Sequence, residues 1–181
     1  ISSNIVSQSY VINGPVSDPL FSVASGDFSA PFSVSITTLP AGSTIYYTTD
    51  GTEPSETNGL VYGSPLQIQQ NTVLKARAYR ANWLPSNVSS AEYNFFVSPV
   101  SIVPNGGTFT SSQNVTLSTV TPNAQIHYTL DGSNPVPGSS PVYDPLIPIL
   151  VDHDLVLKTM ATKTNWYSSA ITSATFDINL P

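Results

Sequence analysis

IYYTTDGTEP, at residues 45–54, returns as IHYTLDGSNP at residues 126–135, an offset of 81. Working outward, the echo continues at the same offset. Gly26 and Phe28 return as Gly107 and Phe109, Val34 and Ile36 as Val115 and Leu117, and Val61-Tyr62 as Val142-Tyr143. Beyond a two-residue insertion the offset becomes 83, so that VLKARA at 73–78 meets VLKTMA at 156–161 and Asn82-Trp83 meets Asn165-Trp166. A period this long exceeds the roughly 20 to 50 residues of a solenoid unit, so what is duplicated is a whole small domain. Inside each copy the hydrophobic period is two, the mark of half-buried strands. Leu74, Ala76 and Ala78 share a face opposite Lys75, Arg77 and Tyr79. Ala91, Tyr93 and Phe95 close the first copy, as Ala174, Phe176 and Ile178 close the second.

Turn signals separate these runs. Pro40-Ala41-Gly42, Gly63-Ser64-Pro65 and Pro104-Asn105-Gly106-Gly107 interrupt the alternation, and Asp50-Gly51 and Asp131-Gly132 read as hairpin turns. With sixteen prolines in the chain, no long helix survives. The expected fold is all-β: two tandem antiparallel β-sandwiches of about seven strands each. The expected boundaries are 19–97 and 98–181, meeting near Phe96 to Pro99. Residues 1–18 lie outside the repeat. Ser3 to Ile12 aligns with Ser86 to Phe95 at the offset of 83, which makes the opening segment an extra N-terminal strand, a third copy of a closing strand. Such a strand needs hydrogen-bond partners for its backbone and a groove for Ile5, Tyr10 and Ile12. Those three are the candidate anchors of assembly by strand addition.

Composition narrows function. Only 9% of the 181 residues are charged, against about 25% in average globular proteins. Hydroxyls and amides take their place, as on extracellular β proteins. Five Lys and Arg against eleven Asp and Glu leave a net charge of −6, which disfavours nucleic acid and anionic membrane surfaces. No apolar run approaches the roughly 20 residues of a membrane span. There is no cysteine, so disulfides and thiolate chemistry are out.

IYYTTDGTEP, then VYGSPLQI, TVLKARAYRANWLPS and AEYNF, together resemble the chitobiase/β-hexosaminidase C-terminal type repeat, over residues 19–96 and again over about 100–178. The resemblance implies an immunoglobulin-like or fibronectin III-like sandwich of secreted proteins, used as an accessory module. It implies no particular ligand, because such folds host many functions.

Candidate sites follow from these motifs. Asp50, Glu53 and Glu56 are oxygen ligands in search of calcium, but the second copy offers only Asp131 and Asn134 there, and the turn reading is preferred. Trp83 and Trp166 are candidate carbohydrate contacts, weighed against capping the open end of a core. Tyr46 and His127 share one outward strand position. Asp152-His153-Asp154 reads as a solvated loop. Asn87 and Asn114 head the two glycosylation sequons. Catalysis lacks parts: no nucleophile elbow, no phosphate loop, and two His that each occur in only one copy. Neither a cofactor nor a metal is expected. The expectation is a non-catalytic extracellular or cell-surface module, a spacer or filament building block. Its partners are copies of itself or flanking domains. The alternative is a carbohydrate-binding accessory module of a secreted glycoside hydrolase.

Overall fold

Alternating burial defines the strands of the computed structural model, which describes residues 14–180. The first repeat contributes β1 (Leu20–Phe21), β2 (Gly26–Phe28), β3 (Phe32–Val34), β4 (Ile36–Thr37), β5 (Thr44–Thr48), β6 (Leu60–Val61), β7 (Leu66–Ile68), β8 (Thr72–Tyr79) and β9 (Ser89–Phe95). The second contributes β10 (Ser101–Val103), β11 (Gly107–Phe109), β12 (Gln113–Ser118), β13 (Gln125–Thr129), β14 (Ile149–Val151), β15 (Leu155–Thr162) and β16 (Thr172–Ile178). No helix occurs among the described residues. In β8, Leu74, Ala76 and Ala78 are fully buried, while the residues between them keep partial contact with water. β15 repeats the pattern with Leu155, Leu157, Thr159 and Ala161.

The second repeat is a sandwich of a three-stranded sheet, ordered β10-β12-β14, and a four-stranded sheet, ordered β11-β16-β15-β13. Its core is Val115, Leu117, Ile126, Val151, Leu157, Ala174 and Phe176. The first repeat has a five-stranded sheet, β2-β9-β8-β5-β6, and two short pairs, β1-β4 and β3-β7. β5 runs antiparallel to β6 and β8, and β15 antiparallel to β13 and β16, whereas β2 runs parallel to β9 and β11 parallel to β16. In the second repeat the cause is a change of sheet. The chain pairs as β10 with β12, then crosses at Gly106-Gly107 and joins β16 from the other side. Gly106 has φ +73°, and a Cβ there would stand 2.5 Å from the Thr175 carbonyl oxygen. Only glycine fits that crossing.

By compactness the chain divides into two units. The first takes residues through Ser25, Ser33–Ile68 and Thr72–Glu92; the second takes Gly26–Phe32, Gln69–Asn71 and Tyr93 onward. The second unit therefore includes strand ends that belong to the first repeat by sequence. There Phe28, Phe32, Tyr93 and Phe95 form an aromatic cluster with ring centroids 4.2 to 5.9 Å apart.

Two local expectations differ from what is observed. Asp50-Gly51 is not a two-residue hairpin turn. β5 pairs with β6 across a long loop, and Asp50 instead makes a parallel bridge to Val73, with Gly51 N–H donating to the Val73 carbonyl at 3.0 Å. His127, on the strand face opposite the core residue Ile126, is not open to solvent: it is 3% exposed, its Nε2 lying 3.0 Å from Thr162 Oγ1 on the neighbouring strand β15. Ile5, Tyr10 and Ile12 of the expected extra strand lie outside the described residues.

Candidate functional site

Two four-residue turns carry the tryptophans. Arg80-Ala81-Asn82-Trp83 and Lys163-Thr164-Asn165-Trp166 each close with the Trp N–H donating to the carbonyl of the basic residue at 3.1 Å. Asn82 and Asn165 hold φ of 65° and 60°, the left-handed conformation that asparagine tolerates at the third position of such a turn. The cation of the first residue lies over the ring of the fourth: Arg80 at 5.4 Å from the Trp83 centroid, Lys163 at 4.2 Å from Trp166. Three residues after each Trp sits a buried serine that clasps the strand before the turn. Ser86 Oγ accepts from Ala78 N–H at 2.8 Å and donates to the Asn87 carbonyl. Ser169 does the same with Ala161 and Ala170. This clasp fixes where each turn, and hence each indole, stands.

The two indoles end in different surroundings. Within the second unit Trp166 is 8% exposed. Its ring centroid lies 4.8 Å from that of Phe95, and its Nε1–H donates to the Gln69 carbonyl at 2.9 Å. Asn71 N–H donates to the Asn165 carbonyl at 3.1 Å, and Asn165 Nδ2 donates to Gln70 Oε1 at 2.8 Å. Asn71 Oδ1 in turn accepts from Phe95 N–H at 2.6 Å, which holds the acceptor loop against the strand end. Trp83 is half-buried and lines a cleft of about 340 Å³ with Tyr46, Glu56, Tyr79 and Arg80. Tyr46 and Tyr79 meet edge to face, 5.6 Å apart at 88°, so they present no common flat platform. Arg80 occupies one face of Trp83 and is itself anchored by Nη1–H to the Ala41 carbonyl at 2.6 Å.

The acidic loops are internally satisfied. Asp50 Oδ1 accepts from Thr52 N–H at 3.0 Å and from its hydroxyl at 2.7 Å; Asp131 accepts the same pair from Ser133 at 3.0 and 2.6 Å. These hydroxyl and backbone donors hold both carboxyls below the usual aspartate range. Glu53 is paired with Lys75, and at the matching positions Lys158 donates to Asn134 at 3.0 Å. Among the described residues no three His, Asp or Glu side chains gather to hold a metal. Asp152 Oδ1 lies 2.7 Å from His153 Nδ1, a contact that lowers the carboxyl's pKa. Asp154 Oδ1 accepts from Ile178 N–H at 2.7 Å.

Residues 34–93 match the family described as Fn3 associated, and residues 104–173 match the chitobiase/beta-hexosaminidase C-terminal domain. The chain carries two immunoglobulin/fibronectin III-like modules. These module types are non-catalytic. Among solved structures, the fibronectin(III)-like modules of Clostridium thermocellum CbhA are 15% identical, covering 90% of this chain and 94% of that one, with a TM-score of 0.34. The Drosophila N-cadherin EC1-3 structure is 11% identical, covering 88% and 67%, with a TM-score of 0.26. No curated protein matches.

In the first repeat the sequon residue Asn87 has its side-chain amide held by Asp18 at 3.3 Å. In the second repeat Asn114 stands exposed on β12. No helix of the described residues is long and apolar enough to cross a membrane. The sequence alone did not reveal Ser86, Ser169 or the Gln69–Asn71 loop. The recurring Ser three residues after each Trp was the available signal.

Proposed function

We propose that this chain is a non-catalytic extracellular building block, a spacer module of a surface protein or filament that works through its ends. The observation that supports this is the recurrence of end-forming devices in place of a reactive site: the Asn-Trp turn with its serine clasp, and the acidic loops whose carboxylates are consumed internally. In this reading the folding repeats are 19–97 and 98–181, and the partners are copies of the chain or flanking modules. Ser3 to Ile12 adds as a strand to a neighbouring module, with Ile5, Tyr10 and Ile12 as anchors. Repeated head to tail, such a contact does not close and gives a filament. Deletion of residues 1–13 tests it by light scattering and electron microscopy. Assemblies of the intact chain should be lost; assemblies that persist unchanged refute strand addition.

The second reading is a carbohydrate-binding accessory module, favoured by one observation, the cleft between Tyr46, Tyr79 and Trp83 with Glu56 and Arg80 at its edge. It is the weaker reading because Arg80 already covers a face of the indole and the two tyrosines meet edge to face.

A further inference from the structure

The dipeptide Asn-Gly occurs twice, as Asn58-Gly59 in the first repeat and Asn105-Gly106 in the second. It carries its own chemistry. Glycine has no Cβ, so its nitrogen is open to the amide carbon of the asparagine before it, and attack there closes a five-membered ring. Both asparagines are exposed, so access to water does not separate them. Their side chains do. Asn58 Nδ2 donates to the Glu53 carbonyl at 2.8 Å and to Thr52 Oγ1 at 3.4 Å, and Asn58 N–H donates to Ser55 Oγ at 3.0 Å. The group that would have to leave is tied back to earlier residues of its own loop. Among the described residues no hydrogen bond holds the Asn105 side chain.

Asn105 also stands where the fold has least slack. β10 ends at Val103 in the three-stranded sheet and β11 begins at Gly107 in the four-stranded one, so Pro104, Asn105 and Gly106 alone span the crossing. Pairing is set on both sides of it, with Val103 opposite Thr116 and Gly107 opposite Phe176. Gly106 lies so close to Thr175 that a Cβ would stand 2.5 Å from its carbonyl oxygen. An extra backbone atom inserted here meets a chain that is fixed at both ends and crowded in the middle.

We propose that Asn105-Gly106 is a self-modification site that loosens the second repeat. Gly106 N bonds to Asn105 Cγ, the Cγ–Nδ2 bond breaks, and the proton from Gly106 N leaves with Nδ2 as ammonia. Water then opens the resulting succinimide. Hydrolysis at Cγ gives an ordinary aspartate. Hydrolysis at the main-chain carbonyl leaves Gly106 joined through Cγ, an isoaspartate. Both products add a negative charge, but only isoaspartate lengthens the backbone, by one methylene. That methylene pushes Gly107 out of register with Phe176 and releases β11 from β16, where Asn179 N–H donates to the Phe109 carbonyl at 2.8 Å. The reaction is independent of the assembly reading above.

The test incubates the full chain in mildly alkaline buffer, which favours loss of the Gly106 amide proton, and follows the peptides holding Asn58 and Asn105 by mass spectrometry. Electron-transfer fragmentation tells isoaspartate from aspartate. Asn105 should convert about fivefold faster than Asn58, the factor that the net worth of one hydrogen bond sets. In concentrated urea, with the fold gone, the two rates should converge. Amide exchange on the aged chain then reads the consequence. The Asn179 N–H should lose protection in the isoaspartate form and keep it in Asn105→Asp, which has the same charge on an unaltered backbone. Asn105→Gln, whose longer side chain would have to close a six-membered ring, should keep both its mass and its protection. The proposal is overturned if the folded chain converts Asn58 as fast as Asn105, if the difference persists in urea, or if the isoaspartate form protects Asn179 as well as Asn105→Asp does.

Discussion

Replacing Trp166 by Ala should destabilise the second unit by about 3 kcal/mol. The indole is 8% exposed and buries on the order of 200 Å². At roughly 25 cal/mol per Å² the part lost beyond an alanine is about 4 kcal/mol, an upper value because the unfolded chain already hides some of that surface. The lost N–H bond to Gln69 adds about 1 kcal/mol at most, because the exposed carbonyl regains water. Trp166→Phe keeps a ring against Phe95 and loses only the donor and part of the area, so it should cost about 1 to 1.5 kcal/mol. Two modules need not unfold as one transition, so the assay is urea unfolding followed residue by residue through the NMR amide signals of Leu157 and Phe176. If Trp166→Ala moves those signals' midpoint by less than the Phe variant's expected cost, the indole merely rests on the surface. The site built from Gln69, Asn71 and Phe95 would then not exist as described.

Other outcomes follow from the same contacts. Ser169→Ala leaves the buried Ala161 N–H without its acceptor and should cost about 1 to 3 kcal/mol in thermal unfolding, with Ser86→Ala costing the same in the first repeat. Gly106→Ala, at φ +73° and 2.5 Å from a carbonyl oxygen, should cost about 1 to 3 kcal/mol or more in denaturant titration, while Gly63→Ala, in open space, should be near neutral. The Asp50 and Asp131 carboxyls titrate below the ordinary aspartate value of about 3.9, so on acidification the unfolded chain takes up protons first. Their contribution is complete above about pH 4 and is lost as pH falls through the lower folded values. The double Asn variant should therefore show a flatter stability profile below pH 4 and a lower stability at neutrality, where the charged carboxyls contribute in full.

Much of the fold was legible because period-two alternation is a local property. Leu74, Ala76 and Ala78 face inward as their spacing demands, and the offset of 81 then 83 locates the matching strand β15. What was not legible is non-local. Alternation says which face of a strand is buried, but not which sheet it joins, so the crossing at Gly106 and the parallel pairing of β11 with β16 left no trace in the pattern. His127 sits where the first copy has the half-buried Tyr46, and its side chain meets Thr162 of the neighbouring strand, a contact its own strand does not announce. Ser86 and Ser169 read as loop residues because a hydroxyl that caps a buried backbone group looks like any other serine. The Trp166 site is divided between residues 97 apart, and no window along the chain contains both halves.

The central claim is that the molecule works by joining modules and not by reading a sugar. A glycan array probed with the intact chain and with Trp83→Ala tests this most directly. The account predicts no saturable binding to any glycan by either protein. Specific binding by the intact chain that disappears in Trp83→Ala, with the variant still folded, would contradict it and make the Tyr46–Tyr79–Trp83 cleft the working site.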